Sequence, residues 1–403
     1  MRNTIQLENL NSQSVDIYNL MGFQPKVVDM DYLGGLGVKP SPSEETLKGL
    51  INGSALFKER LGKGNLIPRA EAEICEIGLD SELEIHNYTG ACPTLTYEIN
   101  PVTGCNVGCM YCLVSDGVHE NKMKAYSNYH LLVRKVLEEK MGERHYYYFS
   151  PKTEAFQEPT LQTGIAHNIL REFIAHFHKY PDSKARIFIA SKAGTKQLFY
   201  KHEGESILDL FIKLKDKLQF NTSVSIMPPK LREILEPFAP SIEERLNAVL
   251  LCQQYGVMSN SALVQPIIAP YLTEENMQDF FGKLKKANII NYKPEFLTAC
   301  MENLSMIGQL MGYFDKEMEK TLYEYYINPE NAEHRKQRGR TAPSRHLSIS
   351  HLKNMMEISS RYGLTVSICY WVRRQLKISE EMIPVINSNG FQCLGYQTEL
   401  FNK

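Results

Sequence analysis

From Thr94 to about residue 300, short β-prone runs alternate with longer stretches in which apolar residues recur at helical spacing. The runs predict strands over Leu95–Ile99, His145–Phe149, Arg186–Ala190, Thr222–Ile226, Ser261–Ile268 and Pro294–Thr298. Helical periodicity falls between them, near 127–139, 160–179, 205–217, 241–255 and 273–287. Ser241 with Glu244 three residues on reads as a capping box that opens one of these helices. A strand followed by a helix, six times over, is the sequence sign of parallel βα units. The expected fold class is therefore α/β, a partial (β/α)6 TIM-type barrel.

The flanks read differently. Residues 1–90 carry Gly and Pro punctuation, as in LGGLGVKPSPSEE, and are expected to form an N-terminal cap. The barrel is expected over 91–300 and a C-terminal α/β extension over 301–403. That extension holds a long helical stretch, the basic segment NAEHRKQRGRTAPSRH, and a closing helix, strand, helix, strand pattern. Its last part would either extend the sheet or fold over the barrel mouth.

Composition narrows the picture. The 403 residues are 43% hydrophobic and 23% charged, enough for a packed core, and the net charge is −1. A surface dominated by nucleic-acid electrostatics is not expected, although a local basic groove stays open. The N-terminus lacks the features of a secretory signal and no apolar run is long enough to span a bilayer, so a soluble cytoplasmic protein without a membrane partner is the expectation. Nine Cys, an odd count, fit a reducing compartment.

The chemistry lies in TGCNVGCMYCLV, directly after the first strand. Cys105, Cys109 and Cys112 follow a Cys-x3-Cys-x2-Cys spacing with Tyr111 before the last. Three thiolates in one short loop can hold three irons of a [4Fe-4S] cluster and leave the fourth open to another ligand. The alternative is a structural zinc site completed by Cys92 or His119, although zinc sites usually pair two Cys hooks and no second hook is present. This segment resembles the signature of the radical S-adenosylmethionine superfamily. The resemblance implies that S-adenosylmethionine fills the open iron, with Tyr111 near its adenine. An electron from the cluster then cleaves it to methionine and a 5′-deoxyadenosyl radical.

Later segments resemble the spore-photoproduct-lyase-like branch of that superfamily, over about residues 95–300. In FSPKTEAFQEP, Thr153 and Glu154 fall where relatives contact the cofactor's amino group, and Glu158 lies in the same stretch; read alone, this is a solvated loop before a helix. In IFIASKAGTK, Ser191 and Lys192 match a pair placed against the cofactor carboxylate, although such a Lys would otherwise be a rim charge. In SVSIMPP, Ser225 matches a serine near the ribose, where an isolated Ser would be read as structural. The segments LEPFAPSIEERLNAVLLCQQYGV and VQPIIAPYLTEEN complete the likeness. Glu236 and Arg245 would either brace the loop as an ion pair or bring Arg245 to the cofactor.

The chain departs from the lyase proper. Relatives carry a hydrogen-donating Cys ahead of the acidic residue, where this chain has Ser150 and Pro151, and a Tyr after the cluster loop, where it has Leu113. A serine O–H bond is too strong to replace a thiol as hydrogen-atom donor. The expected function is therefore a radical S-adenosylmethionine enzyme acting on a small molecule, such as a sugar or natural-product intermediate. A low-potential donor of flavodoxin or ferredoxin type would supply electrons. The alternatives are a DNA photolesion lyase and a zinc-stabilised interaction protein without enzyme activity. Cys300, Cys369 and Cys393 form no hook, so no auxiliary cluster is expected; they, with Cys75 and Cys252, read as buried apolar residues, and Cys92 as a near-site thiol. The basic residues His334, Arg335, Lys336, Arg338, Arg340, Arg345 and His346 read as a solvated interdomain loop or a phosphate, nucleic-acid or acidic-substrate contact. Tyr146, Tyr147, Tyr148, Tyr370 and Trp371 read as strand packing or pocket lining.

Overall fold

The computed structural model describes residues 3–6, 71–85, 96–105, 107–112, 123–140, 145–236, 239–335, 340–369, 372–373 and 376–378. Its frame is an eight-stranded sheet whose spatial order is the order of the chain. The strands are β1 (Glu84–Ile85), β2 (Thr96–Ile99), β3 (Tyr146–Phe149), β4 (Arg186–Ser191), β5 (Leu218–Val224), β6 (Ser261–Ile267), β7 (Asn291–Phe296) and β8 (Thr365–Val366). From β2 to β8 all neighbours are parallel, and only β1 runs antiparallel to its neighbour. The crossovers carry α1 (Tyr129–Glu139), α2 (Ile165–Lys179), α3 (Ile207–Lys213), α4 (Ile242–Gln254), α5 (Glu274–Lys286) and α6 (Arg345–Ser360). The sheet is open, with β1 and β8 at its edges.

Side chains alternate across each strand, which sorts the sheet into two unlike faces. Tyr147, Phe149, Ile187, Ile189, Phe220 and Val264 join Leu132 of α1, Phe173 of α2, Phe211 of α3, Val249 of α4, Phe281 of α5 and Met355 of α6 in one apolar core. All six crossover helices thus lie on the same face. On the other face, Tyr146, Tyr148, Phe188 and Leu263 form a small separate cluster. Polar residues share that face: Gln219, Asn221, Ser261 and Asn291 are fully buried there. Gln219 donates to Asn221 at 3.0 Å, and Ser261 donates to Asn291 at 3.0 Å.

Two strands differ from their predicted bounds by more than one residue. The fourth begins at Leu218 rather than Thr222 and the sixth at Asn291 rather than Pro294. The polar residues of the helix-free face interrupt the apolar run and hide the strand starts. Pro294 sits inside β7 because its missing N–H points toward β8, where pairing has stopped: the Tyr292 carbonyl takes the Ser367 N–H at 2.9 Å, and the ladder ends there. Ser241 caps α4 by accepting from the Glu244 N–H at 3.2 Å, but the Glu244 carboxylate turns to the Thr195 hydroxyl at 3.4 Å instead of closing the box.

The flanks attach to this frame in two places. Glu71–Cys75 pairs with Asn3–Gln6 on one side and Met123–Tyr126 on the other, so the N-terminal region lies along the segment that follows the Cys loop. Between β7 and α6, helices Met301–Phe314 and Lys316–Tyr326 and a three-stranded sheet form an insertion. The chain then returns through α6 to add β8, so this part of the extension widens the sheet. No described helix is long and apolar enough to cross a membrane.

Candidate functional site

The Cys loop leaves the end of β2, and its conformation depends on two glycines. Gly104 and Gly108 have φ of 91° and 68°, a region that side chains disfavour. The Met110 N–H donates to the Leu235 carbonyl at 3.0 Å, the Cys112 N–H to the Cys109 carbonyl at 3.1 Å, and Gln157 Nε2 to the Gly104 carbonyl at 3.3 Å. Val107, Cys109, Met110 and Tyr111 pack with Leu231 and Leu235 and with Leu304, Ile307 and Met311 of the inserted helix. The loop is thereby covered by residues that all follow it in the sequence.

Cys105, Cys109 and Cys112 line one cavity of about 330 Å³ at the carboxyl ends of the parallel strands. Thr153, Glu154, Ser191, Lys192 and Tyr111 line the same cavity. Glu154 is the knot that ties two strand ends together. Its Oε1 accepts from the Ser191 hydroxyl and from the Phe156 N–H at 3.1 Å, and its Oε2 accepts from the Lys192 N–H at 2.8 Å. Oε2 keeps room for a further donor. Lys192 Nζ reaches Ser223 Oγ at 3.5 Å and lies 5.8 Å from the Tyr111 ring centroid. Burial works against its ammonium, but Cys109 and Glu236 nearby outweigh that and raise its pKa.

Behind this wall stands a buried triad. Tyr111 donates its hydroxyl to Glu236 Oε1, and Arg245 Nη2 pairs with Glu236 Oε2 at 2.5 Å. Arg245 is fully buried and also donates to the carbonyls of Pro240 at 2.8 Å and Ser223 at 3.0 Å. Burial would raise the Glu236 carboxyl, yet Arg245 and then Lys192 hold it at about 2. Burial, reinforced by Cys109 and Glu236, keeps the Tyr111 phenol protonated. Of the two roles open to Arg245, the geometry gives it the brace.

Ser225 departs from its expected place. Its hydroxyl donates to the Gln265 carbonyl at 3.0 Å, and Ser223, rather than Ser225, lines the cavity. The chain leaves β5 at Val224, so the alternation that carries Ser223 to the helix-free face stops before Ser225. Sequence reasoning also missed Gln265 and Glu295 as lining residues, and noted Ser150 only as standing where the lyase proper carries a Cys. The signal for them was position at the end of a parallel strand, where functional side chains of βα folds gather.

Three thiols from one loop, with the hydroxyl of Thr153 beside them, line the cavity as candidates for holding a cofactor. Burial pushes the Cys105 and Cys109 thiols up to about 12, so thiolates here would require a bound cation. Among the described residues no three His, Cys, Asp or Glu converge as ligands of one ion. Thr153 Oγ1 is buried without a protein partner on the cavity wall, as a group awaiting a ligand would be.

The remaining candidates take structural places. Cys252 is core, Cys369 packs against the core, and Cys300 caps helix Met301–Phe314 by accepting from the Asn303 N–H at 3.4 Å. Tyr147 is core packing, whereas Tyr148 reaches the cavity. Arg345 is engaged by the carbonyls of Leu376 at 2.6 Å and Lys377 at 3.1 Å, which removes it from a binding patch. Cys92, Leu113, His119, Lys336, Arg338, Tyr370, Trp371 and Cys393, and the side chains of His334 and Arg335, lie outside the described residues.

No family model matches the chain. Over 191 residues it is 24% identical to an uncharacterised protein of Methanocaldococcus jannaschii, a likeness covering 45% of this chain. The chain spans 64% of the length of that relative.

Proposed function

We propose that this protein is a radical S-adenosylmethionine enzyme whose six βα units curve as a partial barrel around the cavity. The observation that carries the proposal is the meeting of three Cys from one loop with Glu154, Ser191 and Lys192 in one cavity at the carboxyl ends of parallel strands. The strand order and the placement of every crossover helix on one face support the barrel reading, since a doubly wound sheet would be covered on both faces.

Cys105, Cys109 and Cys112 would hold a [4Fe-4S] cluster, and Tyr111, Thr153, Glu154, Ser191 and Lys192 would hold S-adenosylmethionine beside it. When bound, these groups supply one-electron reductive cleavage of the cofactor and removal of a hydrogen atom from a substrate C–H bond. Glu154, with an acceptor direction to spare on Oε2, is suited to an ammonium. Lys192 presents a cation to a carboxylate. Tyr111, fixed through Glu236 and Arg245, gives an immobile aromatic surface, and Ser225 acts at one remove by holding the Gln265 carbonyl. The inserted helices cover part of the loop, which would limit solvent access to a reactive centre. A flavodoxin- or ferredoxin-type protein would deliver the electron.

The test is anaerobic reconstitution with iron and sulfide, followed by assay of 5′-deoxyadenosine with reductant and S-adenosylmethionine. Four irons and four labile sulfides per chain, with product from the parent and none from a variant with Cys105, Cys109 and Cys112 all changed to Ala, is the expected result. One zinc per chain without labile sulfide would sink the proposal.

A further inference from the structure

Two polar groups in the cavity have no partner and are not needed for the roles given above. Ser150 is 2% exposed, and its hydroxyl makes no hydrogen bond. Its backbone is held at φ 53°, in the left-handed region that serine rarely adopts. Strain of this kind persists where a site requires it. Gln265 Nε2 is likewise buried without a partner; whichever end of the amide turns inward, the group there lacks one. Gln265 lies where the pairing of β6 with β7 shifts register between Val264 and Ile267, an irregularity of the kind that re-aims a side chain. Ser225 satisfies the Gln265 carbonyl but leaves the side-chain amide unpaired.

Ser150 follows β3 and Gln265 belongs to β6, so the two are separated by three strand spacings, about 14 Å along the sheet. The floor between them carries Tyr148, Ala190 and Leu263. An apolar floor with hydrogen-bonding groups at opposite ends suits a ring with a C–H face and a polar rim. The charged lining residues are two lysines and two glutamates: Lys152, Lys192, Glu154 and Glu295. Lys152 is already paired with Glu84 and, at 3.2 Å, with Glu98. Among the described lining residues, that leaves Lys192 against two glutamates, so no surplus of positive charge is present to neutralise an anionic ligand.

We propose that Ser150 and Gln265 form the substrate side of the cavity and bind a neutral cyclic molecule rich in hydroxyl or carbonyl groups, of the sugar or nucleoside kind. As an assignment of substrate this rests on the function proposed above; as an assignment of a binding site it stands on the two unpartnered groups. A buried polar group without a partner destabilises the protein that carries it. The variant Ser150→Ala/Gln265→Leu should consequently melt about 2–4 °C above the parent, whereas groups of purely structural value would leave it below.

The closing experiment uses the full chain without reductant or S-adenosylmethionine. Melting is followed with glucose, myo-inositol and thymidine at millimolar concentration, each beside its monophosphate. The expected result is stabilisation of the parent by at least one neutral compound, a weaker or absent response to its phosphate, and no response in the double variant. A double variant less stable than the parent, an equal or larger response to the phosphates, or no response to any compound overturns the assignment. Failure of 5′-deoxyadenosine formation would instead count against the cofactor reading, so the two failures are separable.

Discussion

Arg245→Met is the sharpest perturbation of this molecule. The guanidinium is fully buried, with its strongest tie to Glu236, itself 1% exposed. Removing it leaves a carboxylate in the interior without its counter-charge, a change that costs about 3–5 kcal/mol. The depressed carboxyl gives a second route to the magnitude. Its pKa lies at about 2 against an ordinary 4.5, and at about 1.36 kcal/mol per unit its partners, Arg245 first and Lys192 next, together contribute about 3 kcal/mol. Because this pKa is lowered on folding, the contribution is complete above about pH 4.5 and is lost as the pH falls toward 2. Urea midpoints followed by circular dichroism should place Arg245→Met about 3–5 kcal/mol below the parent at pH 7. That deficit should shrink between pH 5 and 2.5, and the double variant Arg245→Met/Glu236→Gln should recover more than half of it. A deficit under about 1 kcal/mol at pH 7, the range of exposed ion pairs, or one that stays constant through the acid range, would refute the reasoning.

Other expectations follow from the same contacts. Glu154→Ala releases Ser191, Phe156 and the Lys192 N–H together; titration calorimetry on the reconstituted protein should show S-adenosylmethionine binding at least tenfold weaker, about 1.4 kcal/mol, and unchanged binding would remove Glu154 from the site. Phe156 is 1% exposed between Phe149 and Phe211, with ring centroids at 6.0 and 5.7 Å. Its change to Ala should cost about 3–5 kcal/mol in urea unfolding, and a loss below 1 would mean that the neighbouring rings close the space. Ser241→Ala deletes the cap of α4 and should cost about 1 kcal/mol, measurable as a lowered urea midpoint, whereas Ser241→Asp should match the parent.

The helix-facing half of the fold was legible because its strands present apolar residues to one continuous core, so Tyr147, Phe149, Ile187 and Ile189 announced themselves. The starts of β5 and β7 were obscured by Gln219, Asn221, Asn291 and Lys293, polar residues that this sheet buries on its helix-free face. Spacing drew attention to Cys105, Cys109 and Cys112, and position at strand ends marked the segments in which the resemblance to the spore-photoproduct-lyase-like branch picked out Glu154, Ser191 and Lys192. Position at strand ends also covers Ser150 and Gln265, but neither signal foretells their settings. The first depends on a left-handed backbone that serine does not encode, the second on a local shift in register. Ser225 was misplaced by a strand that ended one residue before it.

The chain-order arrangement of the sheet also explains why a whole subdomain can sit between β7 and α6. Ser261 of β6 pairs with Asn291 of β7, 30 residues later, and Asn291 pairs with Thr365 of β8, 74 residues later. Loop-closure entropy grows only with the logarithm of length, so lengthening the connection from 30 to 74 residues costs about 0.8 kcal/mol. Each earlier unit finds its neighbour in the segment just made, and only the last strand waits for the insertion. Growth of the molecule from a bare βα frame to one with a shielded Cys loop thus needed little compensation in stability, and the insertion point is where further elaboration would be tolerated.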